Sequence, residues 1–176
     1  MSHSKDKFFS HIIHLEHKIE ELNRLDRTVN VLEWGMGSST QLFVEKLHAA
    51  NIYSIEHNSQ YALPLVPQNP KIKHSVLLRT TYQLYGGSMD YVTAPLLLML
   101  EKLPLFDFIF IDGRLRADCG AVASLVCRDD GEVMIHDYQR SNYHQATHYF
   151  KESFIFDDGG SLTASFKKPF LKILQA

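Results

Sequence analysis

With 176 residues, 45% of them apolar and 22% charged, the chain has the makeup of one ordinary globular domain with a sizeable core. A formal charge of −2 excludes a strong bulk attraction to nucleic acid or to an anionic membrane. Two cysteines, Cys119 and Cys127, are too few for a disulfide framework and form no CxxC pair, so they read as reduced, buried thiols of a cytoplasmic protein. The first residues lack an apolar signal core, and the apolar run Ala94 to Leu100 is far below membrane-spanning length.

Apolar residues from Phe8 to Leu25 recur at helical spacing, which predicts an amphipathic opening helix over residues 5–25. His11, His14 and His17 recur every third residue on it and read as a solvated face in preference to a metal site. A strand over Thr28 to Glu33 then runs into Trp34-Gly35-Met36-Gly37-Ser38-Ser39-Thr40. Two close glycines followed by three hydroxyl residues form a tight turn that admits a ligand and opens a helix, predicted to run from Ser38 to Ala50. Asn51 reads as its stop, and Ile52 to Glu56 as a second strand ending in an acid. Together these segments make a βαβ unit with a right-handed crossover.

Asn58 to Leu65 has the pattern of a short helix closed by Pro64, Pro67 and Pro70, and Lys71 to Leu78 of a third strand. A loop with Tyr82, Tyr85, Gly86 and Gly87 leads to a leucine-rich helix over Asp90 to Lys102, with Pro95 tolerable only near its first turn. The fourth strand, Phe106 to Ile111, is nearly all apolar and ends in Asp112-Gly113. A helix over Ala117 to Cys127, the turn Asp129-Asp130-Gly131 and a fifth strand, Glu132 to His136, follow; that strand ends in Asp137. A helix from about Asn142 to Lys151 precedes a hairpin of Ser153–Phe156 and Ser161–Lys168. One domain over residues 1–176, with its core at 28–168, accounts for the chain.

Strands alternating with helices and closed by a hairpin predict an α/β doubly wound, mostly parallel sheet with helices on both faces. Ligands of such sheets bind outside the carboxyl ends of the strands, where Glu33, Glu56, Asp112 and Asp137 gather on one edge. At these residues the sequence resembles the class I S-adenosylmethionine-dependent methyltransferases, in an O-methyltransferase-like variant. Glu33-Trp34-Gly35-Met36-Gly37-Ser38-Ser39 looks like their first motif, and Glu56 like the acid that binds the ribose hydroxyls. The resemblance implies seven strands in the order 3-2-1-4-5-7-6, with S-adenosylmethionine as cofactor.

On that reading Gly35, Met36, Gly37, Ser38 and Ser39 seat the methionine moiety, Glu33 accepts from its ammonium, and His57 and Asn58 lie beside the adenosine. Leu78-Arg79-Thr80-Thr81 departs from the family's acid at the end of strand three, so Asp112 or the tyrosine loop is assigned to the adenine side. The Asn/Asp-Pro-Pro-Tyr signature and a Pro-Cys pair are both missing, which disfavours nucleic acid as substrate and leaves a small-molecule acceptor, a hydroxyl by preference. Asp112 and Asp137 match the acids of metal-assisted relatives and imply Mg²⁺; the alternative is that Asp112 contacts the cofactor while Asp137 caps the next helix.

A general base is drawn from Asp137, His136, Asp112 or His144, because a hydroxyl must lose its proton as the methyl arrives. His144 and His148 with His136 or Asp137 make a weaker zinc pattern than a base or a solvated face. Arg114 and Arg116 face either an anionic substrate or the acids Asp118 and Asp129. Two rival readings remain: an NAD(P)-binding oxidoreductase or sensor, against which Thr40 stands where its third glycine belongs, and a non-catalytic cofactor-binding scaffold. The apolar tail Phe170 to Leu174 offers a surface for a homodimer.

Overall fold

A computed structural model describes residues 10–79, 87–100, 105–157 and 161–169. Among them seven strands form one sheet: β1 (Val29–Trp34), β2 (Ala50–Glu56), β3 (Ile72–Leu78), β4 (Phe106–Ile111), β5 (Cys127–Ile135), β6 (Phe150–Asp157) and β7 (Leu162–Pro169). Their order is β3-β2-β1-β4-β5-β7-β6, parallel throughout except where β7 runs antiparallel to both β5 and β6. This is the expected order, and it puts the ends of β1, β2, β4 and β5 side by side.

Strand periodicity divides the core into two layers. Leu32, Trp34, Ile109 and Ile111 face α3 (Gly87–Leu100) and α4 (Arg116–Val126), where they pack with Tyr91, Ala94, Cys119 and Ala123. Val29, Val31, Phe108 and Phe110 face α1 (Ser10–Asn23) and α2 (Ser38–Lys46), where they meet Leu15, Ile19 and Phe43. β1 and β4 are buried along their whole length, as covering on both faces demands.

Element ends differ from expectation where tertiary pairing outweighs local propensity. α2 stops at Lys46, and Ala50 and Asn51 already belong to β2, where the Asn51 amide donates to Asn30 Oδ1 at 3.0 Å. Asn51 is thus a strand residue, and no helix stop. The expected helix over Asn58 to Leu65 is a single turn closed by the Tyr61 and Ala62 N–H groups on the Asn58 carbonyl. Pro64 lacks a donor and biases Leu63 away from helical angles, so the turn does not propagate.

Pro95 lies well inside α3 and not in its first turn. A residue there would normally donate to the Tyr91 carbonyl; that carbonyl instead accepts the Trp34 indole N–H at 3.0 Å. The Asp129-Asp130-Gly131 turn is a bulge within β5, where pairing jumps from Phe106↔Cys127 to Phe108↔Glu132. The expected helix after β5 is a 3-10 helix, Ser141–Tyr149, cut short because Phe150 already pairs with Pro169 in the hairpin. The start of the opening helix, the Tyr82–Tyr85 loop, Lys102, the hairpin tip 158–160 and the tail from Phe170 lie outside the described residues.

Candidate active site

The glycine turn is built by close packing of two strand ends. Gly35 has φ +91°, and a Cβ there would stand 2.7 Å from Gly113 Cα, so both chain direction and space require glycine. Its N–H donates to the Ile55 carbonyl at 2.9 Å, and the Asp112 N–H donates to Trp34 at 2.9 Å, which locks β1 between β2 and β4. Gly37 is extended at φ −179°, and a Cβ there would meet nothing within 4 Å. Gly37 therefore faces open space while Gly35 faces the protein. Ser38 is exposed at the start of α2, and the Gly37 N–H donates to Thr40 Oγ1 at 3.0 Å.

Glu56 holds this turn from beneath. Its carboxylate, 2% exposed, accepts the backbone N–H of Met36 on Oε2 and those of His57 and Asn58 on Oε1, each at 2.7 Å. A carboxylate has about four acceptor positions, so three backbone donors leave one for a ligand hydroxyl where the sequence suggested a pair. Nδ1 of His57 is 2.8 Å from Glu56 Oε1 but out of hydrogen-bond alignment, and it is a buried polar atom with no hydrogen bond. A cavity of about 210 Å³ adjoins the turn, lined by Met36, Gly37, Thr40, Tyr61, Leu63 and Leu65.

Glu33 lies deeper than a ligand contact would require. It is fully buried on the α2 face of the sheet, where Ser54 Oγ donates to it at 2.6 Å and Ser39 Oγ at 3.1 Å. Ser54 in turn sits 2.9 Å from His74 Nε2, whose Nδ1 accepts the Leu65 N–H at 3.1 Å. Burial pushes the Glu33 carboxyl up to about 7, against the pull of the Ser54, Thr40 and Ser39 hydroxyls.

At the ends of β4 and β5, Asp112, His136 and Asp137 converge, with one donor atom from each lying within 4.8 Å of the others. His136 Nδ1 is 3.2 Å from Thr163 Oγ1, and its Nε2 is 3.6 Å from Asp137 Oδ1. Asp137 has φ +56°, a conformation uncommon outside glycine that turns its carboxylate back toward Asp112 and Arg116. Arg116 ion-pairs with Asp112 Oδ1 at 3.0 Å and Asp137 Oδ2 at 3.3 Å, and Arg140 reaches the same Asp137 oxygen at 3.3 Å. Burial raises the Asp112 pKa, and the Arg116 charge opposes that rise.

His11 was expected on a solvated face. It is 8% exposed, and α1 lays its ring 4.1 Å from the His136 ring centroid, so the opening helix roofs this cluster. His144 is exposed on the 3-10 helix; its Nε2 meets the Tyr138 carbonyl at 2.9 Å, a contact made away from the three clustered groups. Arg116 turns inward to Asp112 and Asp137, where the sequence had offered Asp118 and Asp129. The sequence did not single out this pairing, although Asp112 and Arg116 are four apart where a strand end enters a helix. Nothing local marked His11, since burial of one histidine among three comes from how α1 docks.

No protein-family model matches the chain, and no curated protein sequence matches it. Among solved structures, a methyltransferase-like protein from Silicibacter pomeroyi superposes with a TM-score of 0.73 at 19% identity, covering 98% of this chain and 91% of that one. The fold is that of the class I methyltransferases. Human methyltransferase-like protein 13, solved with SAH, gives 0.55 at 15% identity over 93% of this chain and 82% of its own. The MycE methyltransferase of the mycinamycin pathway, solved with Mg, SAH and mycinamycin VI, gives 0.56 at 12%, over 98% of this chain and 51% of that one. At such identities the likeness is one of fold.

The glycine turn has room for a group of the S-adenosylmethionine kind: Gly37 leaves open space beside the loop held by Glu56, whose carboxylate could accept one further donor. The second cluster suits Mg²⁺ poorly. Mg²⁺ takes oxygen ligands and concentrated negative charge, whereas here one donor is an imidazole and two guanidiniums already balance the two carboxylates.

Proposed function

We propose that this protein is an S-adenosylmethionine-dependent methyltransferase that methylates a small-molecule hydroxyl. The observation that carries the reading is the pairing of two sites on one sheet edge. An open glycine turn held by Glu56 lies at β1 and β2, and a proton-accepting cluster lies at β4 and β5. When bound, the cofactor supplies an electrophilic methyl on a sulfonium, which an aligned nucleophile displaces in line.

The chain's own part is positioning and proton removal. Met36, Gly37 and Ser38 would hold the cofactor's amino-acid end, and Glu56 would accept from a ribose hydroxyl. Asp112, 30% exposed, is the most open of the three clustered groups and takes the acceptor's proton, with His136 and Asp137 beside it. Burial raises the Asp112 pKa, which suits a proton acceptor, and the Arg116 charge beside it limits that rise. His11 and α1 cover the cluster and limit water there. The charge of Asp112 and Asp137, already balanced by Arg116 and Arg140, argues against the Mg²⁺ reading of these acids.

A cytoplasmic setting is supported by two buried free cysteines, whose burial raises both thiol pKa values and leaves them poor nucleophiles. Among the described residues no helix is long and apolar enough to cross a membrane. The test is an acceptor panel of phenols, sugars and carboxylated alcohols with labelled S-adenosylmethionine, run with and without EDTA. Methyl transfer that survives EDTA and falls by about 100-fold or more in Asp112→Asn is expected. Cofactor binding with no transfer to any acceptor would favour a non-catalytic scaffold.

A further inference from the structure

Arg116 opens α4 and is 7% exposed, so each of its five N–H groups needs a partner. Nε donates to the Gly113 carbonyl at 3.0 Å. Nη1 donates to the His136 carbonyl at 2.5 Å and faces Asp137 Oδ2 at 3.3 Å. Nη2 donates to the Asp112 carbonyl at 3.1 Å and faces Asp112 Oδ1 at 3.0 Å. The Tyr143 ring covers the guanidinium, its centroid 5.4 Å away. One side chain thus holds three backbone carbonyls and two carboxylates, drawn from the ends of two neighbouring strands.

We infer that Arg116 is the positioning residue of this site, an internal cation that sets the Asp112 and Asp137 carboxylates and fills the charge role open to a divalent metal. The inference rests on the proposed function for its catalytic meaning. The two residues flanking the grip are backbone-constrained: Leu115 has φ +52° and Asp137 φ +56°. Such angles persist where surrounding bonds over-determine them, and the guanidinium supplies those bonds on both sides. Lysine cannot substitute. It offers three donors from a point charge, against a planar fork that reaches five acceptors at once.

Nuclear magnetic resonance of the wild-type protein tests this without a variant. Arg116 is expected to show separate, slowly exchanging Nη–H signals, because each proton is held; one averaged signal from a freely rotating guanidinium would overturn the inference. In the same sample, millimolar Mn²⁺ followed by electron paramagnetic resonance should remain free. Tight binding that disappears in the Asp112→Asn, Asp137→Asn double variant would also overturn it. In Arg116→Lys, the carboxyl carbon signals of Asp112 and Asp137 should move while distant aspartates such as Asp26 keep theirs. Unchanged carboxyl signals in folded Arg116→Lys would contradict the claim, and if that variant does not fold the two wild-type readouts decide. S-adenosylhomocysteine binding to the wild type is measured separately. Its failure alongside the expected Arg116 signals would remove the proposed function and leave the arginine clamp intact.

Discussion

A methyl group placed on Gly35 would collide with Gly113 at 2.7 Å, whereas one placed on Gly37 would enter open space. Gly35→Val is therefore a folding lesion and a poor probe of binding, despite its place in the motif. Gly37→Val separates the two effects, because extended backbone accepts any residue there. It should keep its circular dichroism and thermal midpoint while S-adenosylhomocysteine affinity measured by calorimetry falls at least tenfold; retained affinity would move the cofactor away from this turn. Glu33 belongs to the fold more than to the ligand. With its carboxyl raised from 4.5 to about 7 by burial, the native state keeps a proton that the unfolded chain has lost between those values. Stability should therefore be greatest below pH 4.5 as far as this group is concerned, and be lost as pH rises through 7, by about 3 kcal/mol in all. Glu33→Gln should flatten that slope in urea titrations at pH 5 and pH 8, and an unchanged slope would place the proton elsewhere.

At the scale of elements, the helices are tied to the sheet by side chains that answer unusual backbone demands. Trp34 donates to the carbonyl that Pro95 leaves without a helical partner, joining β1 to α3. Trp34→Phe keeps most of the apolar packing and strands that carbonyl, so it should cost roughly 2 kcal/mol in chemical denaturation. α1 is tied by Lys18, 2.8 Å from the buried Glu132, which also meets Ser165 Oγ and, at 3.4 Å, Lys167. Removing the acid leaves Lys18, its side chain 12% exposed, with Glu21 as its remaining partner at 3.0 Å, so Glu132→Ala should destabilise by about 3 kcal/mol. A loss under 1 kcal/mol would mean that α1 is held by its apolar face alone.

Across the whole molecule, the parallel sheet and the hairpin were legible because buried strands and their bounding turns carry strong local patterns. The strand order followed instead from the resemblance carried by the glycine turn and Glu56. Element ends were legible only to within a few residues. Asn51 and Phe150 are decided by cross-strand partners that a local pattern does not contain. The site divides along the same line. Glu56, Gly37, Asp112 and Asp137 could be placed from strand endings, but the orientation of Glu33, the burial of His11 and the inward turn of Arg116 arise from packing between segments far apart in sequence. Both cofactor classes considered for this fold use a glycine turn followed by an acid, so the ligand itself must decide between them. The most direct measurement is a calorimetric titration of the wild-type protein with S-adenosylhomocysteine and, in parallel, NAD⁺ and NADP⁺. The account predicts saturable one-site binding of S-adenosylhomocysteine with a matching rise in thermal midpoint and no response to either dinucleotide; binding of a dinucleotide alone would contradict it.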